Sequence, residues 1–193
     1  MKPRSGTIYK DFLFMLGLAN CCLAMILFAR IGTAQRAEIY PQTLELANEI
    51  VADEKKLSFN ESWKQLQSGR TAVWQNVANA DRFLVQTFGA GMWGPITIAF
   101  AYEMADSRIV ALRVVDQNET TGIGGRITEE EFTEQFRDIL APQGVEMSLA
   151  RVANNQFDAL SGATVSSRSV QNIINRALSQ INKLVSSTGE GQE

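Results

Sequence analysis

Asp158 to Ser167 read D-A-L-S-G-A-T-V-S-S, a small turn that delivers one hydroxyl, that of Thr164, to the start of a helix. From Val170 onward the apolar residues are Val170, Ile173, Ile174, Ala177, Leu178, Ile181, Leu184 and Val185. This 3, 4, 7, 8 spacing marks a single buried helical face. Ser166, Ser167 and Ser169 near its start are cap candidates, and Gly162 lets the backbone approach a ligand closely. A helix start gathers unpaired N–H groups and partial positive charge, which stabilise a phosphate by about 0.3–1 kcal/mol. A threonine hydroxyl at that place is positioned to carry a phosphate covalently. The same letters alone also describe a capped helix start and nothing more.

Two further stretches are rich in glycine. Gly89 to Pro95 read G-A-G-M-W-G-P, in which small residues beside Trp93 let a flat ring approach the backbone. The alternative is a strand-entry turn with a core tryptophan. Asn118 to Arg126 read N-E-T-T-G-I-G-G-R, offering Glu119, Thr120 and backbone N–H groups. This run also reads as a hairpin loop. Gly122-x-Gly124 is not a dinucleotide-binding fingerprint, because no helix is expected directly behind it.

Composition narrows the chemistry. The 193 residues are 45% hydrophobic and 20% charged, with a net charge of −3, which suits a globular domain and advertises no nucleic-acid surface. The chain has no histidine, which removes catalytic imidazoles, His-ligated haem and most zinc sites. No metal site and no catalytic side chain is nominated. Cys21 and Cys22 are adjacent, so on a helix they point about 100° apart. They read as small buried hydrophobes; a ligand role shared with a partner chain is the alternative.

Phe12 to Ala29 form an apolar run broken only by Asn20. Eighteen helical residues span about 27 Å, enough to cross a hydrocarbon core. Lys2, Arg4 and Lys10 precede the run, while Arg30 and Arg36 follow it, a bias that favours a cytoplasmic N-terminus. The length favours an uncleaved anchor. A cleaved signal ending at Gly32-Thr33-Ala34 and a lipoprotein are the alternatives, the latter opposed by Asn20 before Cys21. All three place the rest of the chain outside the cytoplasm.

Thr43 to Val51 read as a helix after Pro41 with an acidic first turn, and Phe59 to Gln67 as a second short helix closed by Ser68-Gly69. Thr71–Val77, Phe83–Phe88, Ile96–Tyr102 and Ile109–Asp116 read as strands, the last two as an antiparallel hairpin. Ile96 to Tyr102 alternate large with small side chains at period two. Glu129 to Leu140 suggest an amphipathic helix capped by Thr128, and Val145 to Val152 a further strand. The expected class is α+β: an N-terminal transmembrane helix, then an antiparallel sheet with flanking helices.

The Asp158–Thr164 stretch resembles the flavinylation motif of the FMN-binding subunits of Rnf and Nqr ion-translocating oxidoreductases. That motif has Asp, two variable residues, Ser or Thr, then Gly-Ala-Thr, and here Asp158, Ser161, Gly162, Ala163 and Thr164 meet it. Gly89–Pro95 resembles the segment that opens the same family's FMN-binding domain. Glu119, Thr120, Gly122, Gly124 and Gly125 match its E-T-P-G-L-G-G turn, with Thr121 replacing the proline and Ile123 the leucine. The resemblance spans roughly Thr71 to Val185. It implies FMN joined through its phosphate to Thr164 by a dedicated flavin transferase. Trp93 would pack near the isoalloxazine, and Thr120 with free backbone N–H groups would bond the ring carbonyls or the ribityl chain.

It also implies a layout: residues 1–10 in the cytoplasm, 11–32 as the anchor and 33–70 as a juxtamembrane helical segment. Residues 71–187 would form the FMN-binding domain, with 188–193 as a flexible tail. The implied function is an electron-transfer subunit of a membrane complex rather than a stand-alone catalyst. Its partners would be integral membrane subunits that move ions and cytoplasmic subunits that meet ferredoxin or NADH. The short chain favours the Rnf-type G subunit over the Nqr-type C subunit. The alternatives are an anchored flavinylated domain serving a separate extracytoplasmic pathway, and a flavin-free anchored binding module.

Overall fold

Alternating side chains at period two produce a sheet with two apolar faces, and each face needs its own cover. The computed structural model describes residues 39–51 and 58–189, together with Met15 and Leu16, which are helical. Trp63–Gln67 (β1), Thr71–Asn76 (β2), Arg82–Ala90 (β3), Pro95–Glu103 (β4), Arg108–Gln117 (β5) and Ile139–Leu140 (β6) make one sheet in sequence order. Every neighbouring pair is antiparallel. A small parallel pair, Glu146–Ser148 (β7) with Gln156–Asp158 (β8), lies apart from it. Helix α1 is Pro41–Ile50, α2 is Phe59–Ser62, α3 is Glu130–Thr133 and α4 is Thr164–Gly189.

The large residues of β4, namely Ile96, Ile98, Phe100 and Tyr102, share one core with Phe83 and Val85 of β3 and with α4. Val170, Ile173, Ile174, Ala177, Leu178 and Ile181 of α4 are all buried there. Burying a side chain of the size of Ile or Leu contributes about 1.5–3 kcal/mol, so packing rather than propensity holds this helix on the sheet. The small residues Ala72, Ala99 and Ala111 face the other way, beside Trp63, Trp74 and Leu84, and leave room for Leu46 and Ala47 of α1. Thr43 of α1 donates its hydroxyl to Gln86 Oε1 at 2.7 Å, a buried polar tie through that second core. Two bulges in β5 shift the alternation, which puts Ile109 and Leu112 in the first core but Ala111 and Val115 in the second.

Register assigns the ends of the sheet. Arg82 pairs with Glu103 and Glu103 with Arg108 at one end, beside the Met104–Ser107 turn. Ala90 pairs with Pro95 and Ile96 with Gln117 at the other, so the glycine-rich segments leave β3 and β5 together.

The expected α+β class with an antiparallel sheet and flanking helices is what the described residues form. Several local expectations are corrected. Helix α1 starts at Pro41, so Glu45 falls outside its first turn, which carries no acidic residue. The second short helix stops at Ser62, and Trp63–Gln67 joins the sheet as β1. The helix expected over Glu129–Leu140 breaks into α3, a 3-10 turn at Glu134–Phe136 and β6. Thr128 is not its cap: it ends a 3-10 turn over Gly124–Thr128, and Glu129 occupies the cap position. The strand expected over Val145–Val152 is the three-residue β7, and Leu149 and Val152 are exposed beyond it.

The run Phe12–Ala29, expected to be an anchor, lies outside the described residues except for Met15 and Leu16, and so do Cys21 and Cys22. Among the described residues no helix is long and apolar enough to cross a membrane, and no cluster of His, Cys, Asp or Glu is arranged to hold a metal.

Candidate functional site

Thr164 is the first residue of α4, and its side chain is exposed. The turn before it is closed by Ala163 N–H donating to Leu160 O at 2.9 Å, with Gly162 at φ +79°. A side chain at that φ is strained although a Cβ would meet nothing within 4 Å, so the glycine serves the turn rather than the packing. Leu160 and Ala163 are buried and fasten the turn from below, leaving Ser161, Gly162 and Thr164 on the surface. Ser167 is not an N-cap. Its Oγ donates to Ala163 O at 3.0 Å and accepts Leu160 N–H at 3.2 Å, which locks the turn onto the first helical turn. The leading N–H groups of the helix have no intrahelical acceptor and give this end its preference for an anion.

Glu119 brings the other two motifs to the same place. It is 7% exposed, and its Oε1 accepts Met92 N–H at 2.8 Å and Trp93 N–H at 3.1 Å. Its Oε2 accepts the hydroxyl of Ser166 at 2.5 Å, two residues past Thr164. Ser166 is thus no cap, contrary to expectation; it is buried and bonded across 47 residues of sequence. Close packing explains two glycines. A Cβ on Gly91 would overlap Glu119 Oε1, and one on Gly124 would lie 2.6 Å from Ser166 Oγ and 2.8 Å from Glu119 Oε2. Gly89–Pro95, Asn118–Arg126 and Asp158–Ser167 therefore converge on one buried carboxylate.

The remaining nominated residues divide. Thr120 is exposed, but its carbonyl takes the N–H groups of Ile123 at 3.1 Å and Gly125 at 3.0 Å. Those two donors, expected to be free, are used within the loop. Gly122, at φ +74°, makes the turn, and a 3-10 helix does open at Gly124. The segment is therefore a loop into a 3-10 turn and not a hairpin. Asp158 sits at the end of β8 with its side chain exposed, and Gln135 holds its backbone N–H at 2.7 Å. The core alternative for Trp93 is excluded, since the indole is 68% exposed. Met92, Ile123 and Val165 are more than half exposed as well, so each of the three motifs contributes apolar surface. A groove of about 570 Å³ lies elsewhere, between Pro142–Gly144 and the α4 residues Asn175 to Ser187. Asn175 is eleven residues beyond Thr164, about 16 Å along the helix, so this groove is a separate feature.

Residues 91–179 match the family described as FMN-binding domain. That span starts in the tryptophan loop and ends in α4, so it takes in most of the first motif and the whole of the other two. Over this segment, less than half of the chain, the protein is similar to FMN-binding domains. Over 103 residues it is 31% identical to the G subunit of the ion-translocating oxidoreductase complex of Methanosarcina acetivorans, covering 53% of each chain. Over 151 residues it is 20% identical to the G subunit of the proton-translocating ferredoxin:NAD(+) oxidoreductase complex of Clostridium ljungdahlii, covering 78% of this chain and 76% of that one. The chain thus spans about half the length of the first relative and about three quarters of the second. Among solved structures, the C subunit of the Na(+)-translocating NADH-quinone reductase from Parabacteroides distasonis has a similar fold. Its TM-score is 0.50 at 24% identity, over 59% of this chain and 61% of that one.

Proposed function

We propose that this domain carries FMN as a phosphoester on the Thr164 hydroxyl and works as an electron carrier in a membrane-bound complex of the Rnf type. One observation carries the reading: three distant motifs meet at Glu119 around an exposed threonine at a helix start. The residues present fit such a group. The start of α4 suits the phosphate, and the exposed faces of Met92, Trp93, Ile123 and Val165 suit a flat apolar ring. Gly162 exposes the hydroxyl by turning the chain sharply before the helix. Asp158 and Ser161 flank the attachment point, while Gly122 and Thr120 shape the second loop.

When bound, FMN supplies one- and two-electron transfer, and the protein positions it and tunes its potential. The attachment joins Thr164 Oγ1 to the FMN phosphorus and removes the hydroxyl proton, for a net gain of one FMN less one water. A flavin transferase with FMN carried on a leaving group would supply it. Similarity to subunits of ion-translocating complexes supports association with a membrane and with other subunits. The N-terminal run would anchor the chain once, with its first residues in the cytoplasm and the FMN domain on the far side. Donors and acceptors would then lie in integral membrane and cytoplasmic partner subunits.

The full chain, produced in a host with its flavin transferase, should gain one FMN less one water by intact mass. Thr164→Val should lose both that mass and the yellow colour. An unmodified wild-type chain under these conditions would contradict the reading. Purification from the native membrane should bring several integral membrane proteins with it; isolation as a lone yellow subunit would favour a separate electron-transfer pathway.

A further inference from the structure

The two carboxylate oxygens of Glu119 serve different parts of the chain. Oε1 is filled by two N–H groups of the loop that presents Trp93, and Oε2 by the hydroxyl of Ser166 in the first turn of α4. Among the described residues no Lys or Arg forms an ion pair with it. Its charge is therefore held by these donors and by the positive end of the helix dipole. Gly91 and Gly124 lack the Cβ that would displace it.

Resting on the FMN reading above, we infer that Glu119 is a positioning residue. It latches the tryptophan loop to the attachment helix through Ser166 and so fixes Trp93 relative to whatever is esterified at Thr164. This role differs from direct cofactor contact, because both oxygens are occupied by protein donors. It also explains why an acid is used. One carboxylate accepts from three donors at once, which a hydroxyl side chain reaching from the same backbone position does not. The Glu119→Gln variant would keep one oxygen for the two N–H groups, and its amide N–H would donate to the Ser166 oxygen. The Glu119→Ala variant would leave all three donors without an acceptor.

The test uses the full chain as wild type, Glu119→Ala, Glu119→Gln and Ser166→Ala, each made with and without a flavin transferase. In flavin-free protein, hydrogen exchange at the Met92 and Trp93 amides should accelerate about tenfold or more in Glu119→Ala, the loss expected for a charge-assisted bond. Amides of Ile98 to Phe100 should stay at the wild-type rate as a control for folding. Glu119→Gln should restore protection. In loaded protein, Ser166→Ala should change the visible circular dichroism of the flavin, whereas Glu119→Gln should keep the wild-type band shape. Unchanged Met92 and Trp93 exchange in Glu119→Ala would overturn the latch. If that variant does not fold, a wild-type flavin spectrum in Ser166→Ala would overturn it instead. A wild-type chain that takes no flavin would count against the FMN reading alone, since the exchange measurement still decides the latch.

Discussion

Single residues divide the work at the proposed site. Thr164 supplies the hydroxyl, Gly162 exposes it, and Trp93 offers a surface for a ring. The chain has three tryptophans, and Trp63 and Trp74 are only 4% and 2% exposed. Acrylamide quenching of flavin-free protein should therefore report Trp93 almost alone, and Trp93→Phe should abolish most of the quenchable emission. Loading with flavin should shield the indole; quenching that does not change on loading would place the ring elsewhere. The hydroxyl and the glycines of this site are legible in the sequence because their signal is local. The Glu119–Ser166 bond is not, since no spacing rule links side chains 47 residues apart. In the sequence Ser166 is only one more small polar residue near a helix start.

Elements hold these residues in place, and close contacts between them set what can be changed. Gly89 in β3 lies against α4, where an added Cβ would come within 2.6 Å of Ile173 Cγ1. Ile173 is fully packed, so Gly89→Ala should cost about 1–3 kcal/mol in urea unfolding and loosen α4 where it crosses the sheet. Wild-type stability in that variant would show that the contact relaxes freely. The strands are readable from alternation, and α4 from its single apolar face. The misreadings have local causes. Phe132, Phe136 and Ile139 keep helical spacing, yet the first two pack on Phe157, and Asp138 at φ +54° turns the chain into β6. Trp63–Gln67 has no strong strand signal of its own. It becomes β1 by pairing with β2, a case of tertiary pairing overriding propensity.

Across the whole molecule, one end of the sheet carries the proposed site and the other is tied by charge. Glu103 contacts Arg82 at 3.4 Å and Arg108 at 3.1 Å, and Arg108 also reaches Asp138 at 3.3 Å. Burial works against ionised Glu103, but the hydrogen bond from Arg108 and the charges of both arginines outweigh it, so its carboxyl titrates below the ordinary value of 4.5. A depressed folded-state value means stability that is complete above 4.5 and lost as pH falls through the lower value. The melting temperature should hold from neutral pH down to about 5 and then drop, and Glu103→Gln should flatten that acid limb. An equally steep limb in the variant would remove Glu103 as its cause. The two-faced sheet with a helix on each side is predictable from composition and period, whereas the meeting of three motifs at one end needs the register of β3, β4 and β5.

The proposed phosphoester is covalent and confined to one side chain, so peptide mapping would locate it. Trypsin should release Val152–Arg168 as one peptide, since no Lys or Arg lies between Arg151 and Arg168. Its flavin-bearing form should fragment with the added mass on Thr164. The same mass on Ser161, Ser166 or Ser167, or on no residue of this peptide, would contradict the account.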